Sequence, residues 1–212
     1  MIDLHPPRLD RAQGVRLDQP AYSADFWQRY TRLDRRDSWK LERGQHFVEQ
    51  DSPSRAALGR GDWAEALRLL EGRRAGLREE AEQDRRLGTV FHRVRVVEKP
   101  FTPYIQWELH SLLLNAEDGG EDIRIVEAGE LHALEVDRPL PELVVLGGET
   151  LYEVVYTDEG VLDGCVRFTD PQLVDDWQDL TRALFERGEE LSSYFAREVA
   201  PLPPPRLTTD EE

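Results

Sequence analysis

Between Thr89 and Asn115 the apolar period of the chain switches from two to about 3.6, and this switch restricts the fold more than any other feature. Thr89 to Val97 places Val90, His92, Val94 and Val96 on one face and Phe91, Arg93, Arg95 and Val97 on the other, as a strand does. Pro100 ends it. Thr102-Pro103 then supplies an N-cap and a proline at the first helical position. The helix so opened carries Ile105, Leu109, Leu112 and Leu113 on one side. After the turn-rich segment Asn115 to Gly120, Asp122 to Val126 reads as a second, short apolar strand. Two strands joined by a crossover helix favour a mixed sheet with helices packed on it.

The flanking sequence fits that plan. Met1 to Ala21, punctuated by Pro and Arg, reads as an irregular arm, and Ser23 is placed to cap a helix bearing Phe26, Trp27 and Tyr30. Ser38 to Glu42 alternates as a strand, and Gln45 to Ser54 reads as a loop. Asp62-Trp63-Ala64-Glu65 starts a helix with Trp63, Leu67, Leu70, Leu77 and Ala81 on its apolar face, and Gly72 and Gly76 favour a break in it. Leu143 to Leu146 reads as a buried strand. Leu151 to Tyr156 and Val161 to Phe168 flank Thr157-Asp158-Glu159-Gly160, a hairpin signal. Asp170-Pro171 opens a long helix bearing Leu173, Val174, Trp177, Leu180 and Leu184, and Gly188 divides it from a final turn. The expected organisation is an arm over 1–21, one α/β domain over 22–198 and a disordered tail over 199–212. Within the domain, 22–87 is a helical elaboration and 88–198 the sheet core.

Charge is unevenly spread along the 212 residues. Met1 to Gln106 holds 20 Lys+Arg and 17 Asp+Glu, a net of +3; Trp107 to Glu212 holds 7 and 26, a net of −19. Nucleic-acid binding needs a basic stripe, so the acidic half argues against direct contact with DNA or RNA. It suits either a solvated surface or a face that docks a basic protein, with Asp170, Asp175, Asp176 and Asp179 on the last long helix as the candidate contacts. One cysteine, Cys165, excludes a disulfide scaffold, and no apolar run reaches the roughly 18–20 residues of a membrane span. Met1 to Pro7 lacks the basic-then-apolar plan of a signal peptide, so a cytoplasmic location is expected.

No sequence motif announces a reaction. A Walker loop, a dinucleotide fingerprint following a strand and a Ser-centred nucleophile elbow are all missing, and Cys165 sits in mid-strand as a small buried thiol does. Glu127, Glu130, His132 and Glu135 crowd nine residues, which an acidic loop explains as well as a metal site. No catalytic residue, metal or cofactor is therefore expected. The suggestive residues are charges on apolar elements: Arg93 and Arg95 on one strand face, Arg124 with Asp122 on another, and Tyr104 with Glu108 four apart on a helix. Burying them singly is prohibitive. Two readings follow: an internal network pairing these arginines with Glu108, Glu121 or Asp122, or a pocket whose guanidinium forks hold a small anion.

These residues also carry a resemblance. Arg93-Val-Arg-Val-Val97, Tyr104 with Trp107-Glu108-Leu109, Gly120-Glu-Asp-Ile-Arg124, Tyr156-Thr-Asp-Glu-Gly160 and Thr169-Asp-Pro171 occur in an order that resembles a family of uncharacterised actinomycete proteins. The resemblance covers roughly Asp25 to Phe195. It implies a domain of unknown function often encoded beside helix-turn-helix regulators. More remotely, Gly120 to Phe195 looks like half of a phospholipase-D-like fold, as in non-catalytic sensor domains. The H-x-K-x-x-x-x-D motif of the active enzymes is missing, since His92 is followed by Arg93 and Val94. The resulting expectation is a non-enzymatic regulatory or interaction module engaging a basic partner, such as a helix-turn-helix regulator. The alternative is a small-anion sensor or an α/β enzyme with an arginine-lined pocket.

Overall fold

Capping residues and prolines fix most helix starts in the computed structural model, which describes residues 5–206. The order is β1 (Val15–Leu17), α1 (Gln19–Tyr30), β2 (Ser38–Glu42), α2 (Pro53–Gly59), α3 (Trp63–Glu71), α4 (Arg74–Leu87), β3 (Phe91–Val97), α5 (Pro103–Glu117) and β4 (Asp122–Glu127). It continues with β5 (Leu143–Leu146), β6 (Thr150–Tyr156), β7 (Leu162–Phe168), α6 (Pro171–Arg187), β8 (Glu189–Glu190) and α7 (Leu191–Tyr194), followed by a single π-turn over Phe195–Val199. Asp18, Ser52, Asp62, Thr102 and Asp170 each accept a backbone N–H at the start of a helix. Helix α1 thus begins at Gln19, four residues before Ser23: Asp18 caps it and Pro20 presets its first turn.

The strands form one open mixed sheet in the order β1-β7-β6-β5-β2-β3-β4-β8. Strands β2, β3 and β4 are parallel, and β5, β6 and β7 form an antiparallel meander beside β2. The expected α/β architecture, one mixed sheet flanked by helices, is the one observed. Strand β2 is its seam. Helix α6 covers one face, where Trp39, Leu41, Val94, Val96, Val145 and Trp177 pack. The other face carries α1 over β5–β7 and α2 to α5 over β3 and β4.

Within the segment read as an irregular arm, Val15–Leu17 pairs with Cys165 to Arg167 as an edge strand. Gly164 (φ +111°) makes this possible, because a Cβ there would lie 2.1 Å from the Leu17 carbonyl oxygen. Gly188 serves β8 in the same way: a Cβ would come within 2.7 Å of the Arg124 Cβ. Of the segment read as a disordered tail, Val199 is buried and the Pro203 carbonyl accepts a 2.8 Å hydrogen bond from Gln106 Nε2. Residues 207–212 lie outside the described residues.

Candidate functional site

The helical layer leaves the sheet uncovered between α1 and α5. A cavity of about 550 Å³ opens there, over β2 and β3 and under the loop preceding α2. A sheet face next to a core is normally apolar, but Lys40, Glu42 and Arg93 form this floor. The alternation of β2 dictates the arrangement. Trp39 and Leu41 point into the α6-side core, so Ser38, Lys40 and Glu42 must face the other way, in the middle of the sheet.

These charges neutralise one another. Arg93 forms a bidentate pair with Glu121 (Nε 2.8 Å, Nη2 3.1 Å), and its Nη1 donates to Glu42 at 2.8 Å. Lys40 donates to the second oxygen of Glu42. Arg95, fully buried, donates through Nε to Glu108 at 2.7 Å and through Nη1 to the Glu42 and Val96 carbonyls. Tyr104 closes the set: its hydroxyl lies 3.0 Å from a Glu108 oxygen and 3.2 Å from a Glu49 oxygen, its one proton shared between the two acceptors. Burial alone would raise the Glu42 carboxyl, but Lys40, Arg93 and Arg95 overcome it and hold the group well below its usual range. For Glu108 burial wins, because Arg95 is opposed by nearby Glu42 and the carboxyl is raised. Glu142 lies behind them. Burial and Glu42 push its carboxyl up to about 7, and its Oε2 is buried without a hydrogen-bond partner.

The structure divides the set of sequence candidates. Arg93, Arg95, Tyr104 and Glu108 come together between β3 and α5, with Arg93 and Glu108 lining the cavity and Arg95 and Tyr104 behind them. Asp122 and Arg124 lie on the opposite face of the sheet. In the β3–β4 register Ile123 stands beside Arg93, which sends Arg124 toward α6, where its guanidinium lies 5.2 Å from the Phe185 ring centre. They therefore share no pocket with Arg93. The sequence reading missed Lys40 and Glu42, although their alternation with Trp39 and Leu41 was the available signal. Only the central place of β2, a tertiary fact, turns that alternation into two buried charges. It also missed Arg73, whose Nη1 donates to Ser111 Oγ at 2.7 Å beside the same cavity.

Cys165 is buried and its thiol is pushed up to about 12, chiefly by burial. Among the described residues, no three His, Cys, Asp or Glu side chains are placed to hold a metal ion. Glu127 pairs with Lys99, Glu130 accepts the Glu127 N–H and Glu135 pairs with Arg43. No helix among the described residues is long and apolar enough to cross a membrane.

Folding also redistributes the charge asymmetry. Cations of the first half pair with acids of the second: Arg11 with Glu153, Arg16 with Asp163, Arg43 with Glu135, Arg74 and Arg78 with Asp118, and Lys99 with Glu198. What remains unmatched is narrower than the sequence split suggests. On α6 and its cap, Asp170, Asp175, Asp176 and Asp179 are exposed, and among the described residues only Asp179 has a cation near it, Arg182 at 3.5 Å.

Fold and site together define an open mixed α/β sheet domain whose partly uncovered face is an ion-paired polar cleft. The family model for a domain of unknown function, DUF6879, matches residues 24–196, and the chain belongs to that family. No match among curated proteins was found.

Proposed function

We propose that the chain is a non-enzymatic regulatory or protein-interaction module of the cytosol, docking a basic protein on the acidic face of α6. The observation that carries this reading is the pair Asp175 and Asp176, exposed and without a paired cation among the described residues, on a helix whose inner face packs Val174, Trp177 and Leu180 and whose exposed cap is Asp170. Carboxylates that no internal cation satisfies are available to a partner's lysines and arginines, and they steer its approach. The family resemblance makes a helix-turn-helix DNA-binding regulator the natural candidate, because such a protein carries the complementary charge. The anion-sensor alternative is less well supported: the forks of Arg93 and Arg95 are occupied by Glu121, Glu42 and Glu108. The test is binding of the purified chain to a neighbouring-gene helix-turn-helix protein across a salt series. Association should weaken steeply with salt, and Asp175→Asn with Asp176→Asn should slow it about tenfold or more at low ionic strength. Absent or salt-insensitive association would sink the proposal.

A further inference from the structure

The cleft beside α5 has two charged ends that the internal network leaves unpaired. At one end the Arg73 guanidinium reaches Ser111 Oγ, and among the described residues no carboxylate pairs with it. At the other end are Glu49 and Asp51 of the loop before α2. Glu49 accepts a hydrogen bond from the Tyr104 hydroxyl, and among the described residues no lysine or arginine pairs with either carboxylate. Nearly every other charge around the cleft is matched, so these groups stand out as the ones a ligand would satisfy.

Helix α5 measures the distance between the ends. Glu49 meets it at Tyr104 and Arg73 meets it at Ser111. Seven residues at 1.5 Å rise each separate the two anchors by about 10 Å. An extended chain spans about 3.3–3.6 Å per residue, so three residues with free termini cover that distance. Phe47, Tyr156 and Val161 supply apolar wall between the ends, and a volume of about 550 Å³ accommodates such a molecule.

We propose that this cleft binds a short zwitterionic peptide of about three residues, its ammonium on Glu49 and Asp51 and its carboxylate on Arg73 and the Ser111 hydroxyl. The polarity follows from the chemistry: Arg73 provides a fork for a carboxylate, and two carboxylates face an ammonium. A single amino acid is too short to reach both ends, and a simple anion leaves Glu49 and Asp51 unsatisfied. This inference is independent of the α6 face, and neither stands or falls with the other.

Calorimetric titration of the full chain with trialanine, N-acetyl-trialanine, trialanine amide and free alanine tests it. Free trialanine should bind, and blocking either end or shortening to alanine should weaken binding at least about tenfold, the effect of losing one charge-assisted contact. Arg73→Ala should abolish the difference between trialanine and its amide while leaving the penalty for N-acetylation. Glu49→Gln should do the converse. Both side chains are exposed, so the variants should fold, and Ser111→Ala offers a third, milder probe of the carboxylate end. The proposal is overturned if trialanine binds no tighter than its blocked forms, if it gives no heat at millimolar concentration, or if Arg73→Ala leaves the discrimination intact.

Discussion

Arg95 shows what the network demands of single residues. It has no exposed surface, and Glu108 and Glu42 depend on it. Arg95→Ala should therefore destabilise the domain by about 3–5 kcal/mol, because Glu108 remains buried without its cation and Glu42 loses one of its three. Removing both partners, as in Arg95→Met with Glu108→Leu, should lose much less than that single change. Urea midpoints of the two variants check the ordering. Glu142 makes a pH-dependent counterpart. Its folded carboxyl titrates at about 7 against an ordinary 4.5, so the native state holds the proton more tightly than the unfolded chain. Stability from this group is thus intact below pH 4.5 and falls as pH rises toward 7. Glu142→Gln keeps an oxygen for the Arg43 and Gly44 N–H groups and cannot ionise. It should match the parent near pH 4.5 and exceed it by about 3 kcal/mol above pH 7, read from denaturation at the two pH values. Glu42 has the opposite sign. Its depressed carboxyl contributes stability above pH 4.5 that is lost on acidification.

Secondary-structure elements differ in how far local sequence determines them. Helices α5 and α6 were legible because Thr102-Pro103 and Asp170-Pro171 fix their first turns within four residues, and Gly160 (φ +85°) marks the β6–β7 hairpin. Strands β1 and β8 were not, since three and two residues carry no usable period. They exist because glycine lets a partner strand come close. Gly164→Ala should therefore force Val15–Leu17 off β7 and cost about 2–4 kcal/mol, with loss of hydrogen-exchange protection in that strand. Half the site was legible for a related reason. Arg93, Arg95, Tyr104 and Glu108 follow from strand and helix periods, which fix faces within one element. Which sheet face Arg124 shared with Arg93, and that Lys40 and Glu42 were central, depended on strand order. Such order is set by long-range pairing that no local period encodes.

On the scale of the whole molecule, part of the basic-to-acidic gradient along the chain is used in joining its two halves. A high-salt medium should screen the exposed pairs, such as Arg16 with Asp163, and leave the buried Arg93–Glu42 contact nearly untouched. The seam at β2 binds the halves more firmly than charge does. Its neighbours are β3 from the first half and β5 from the second, and roughly a hundred residues separate Glu42 from Leu143. A chain cut in the loop after Asp118 should give an N-terminal piece without native circular dichroism, restored on mixing with its complement. During synthesis the same arrangement leaves the emerging protein waiting. By the time β2 and β3 clear the ribosome, one side of the central strand has no mate and will gain none until much later in translation. In the interval that bare rim is open to any other nascent strand, which makes the growing polypeptide a natural client for a chaperone.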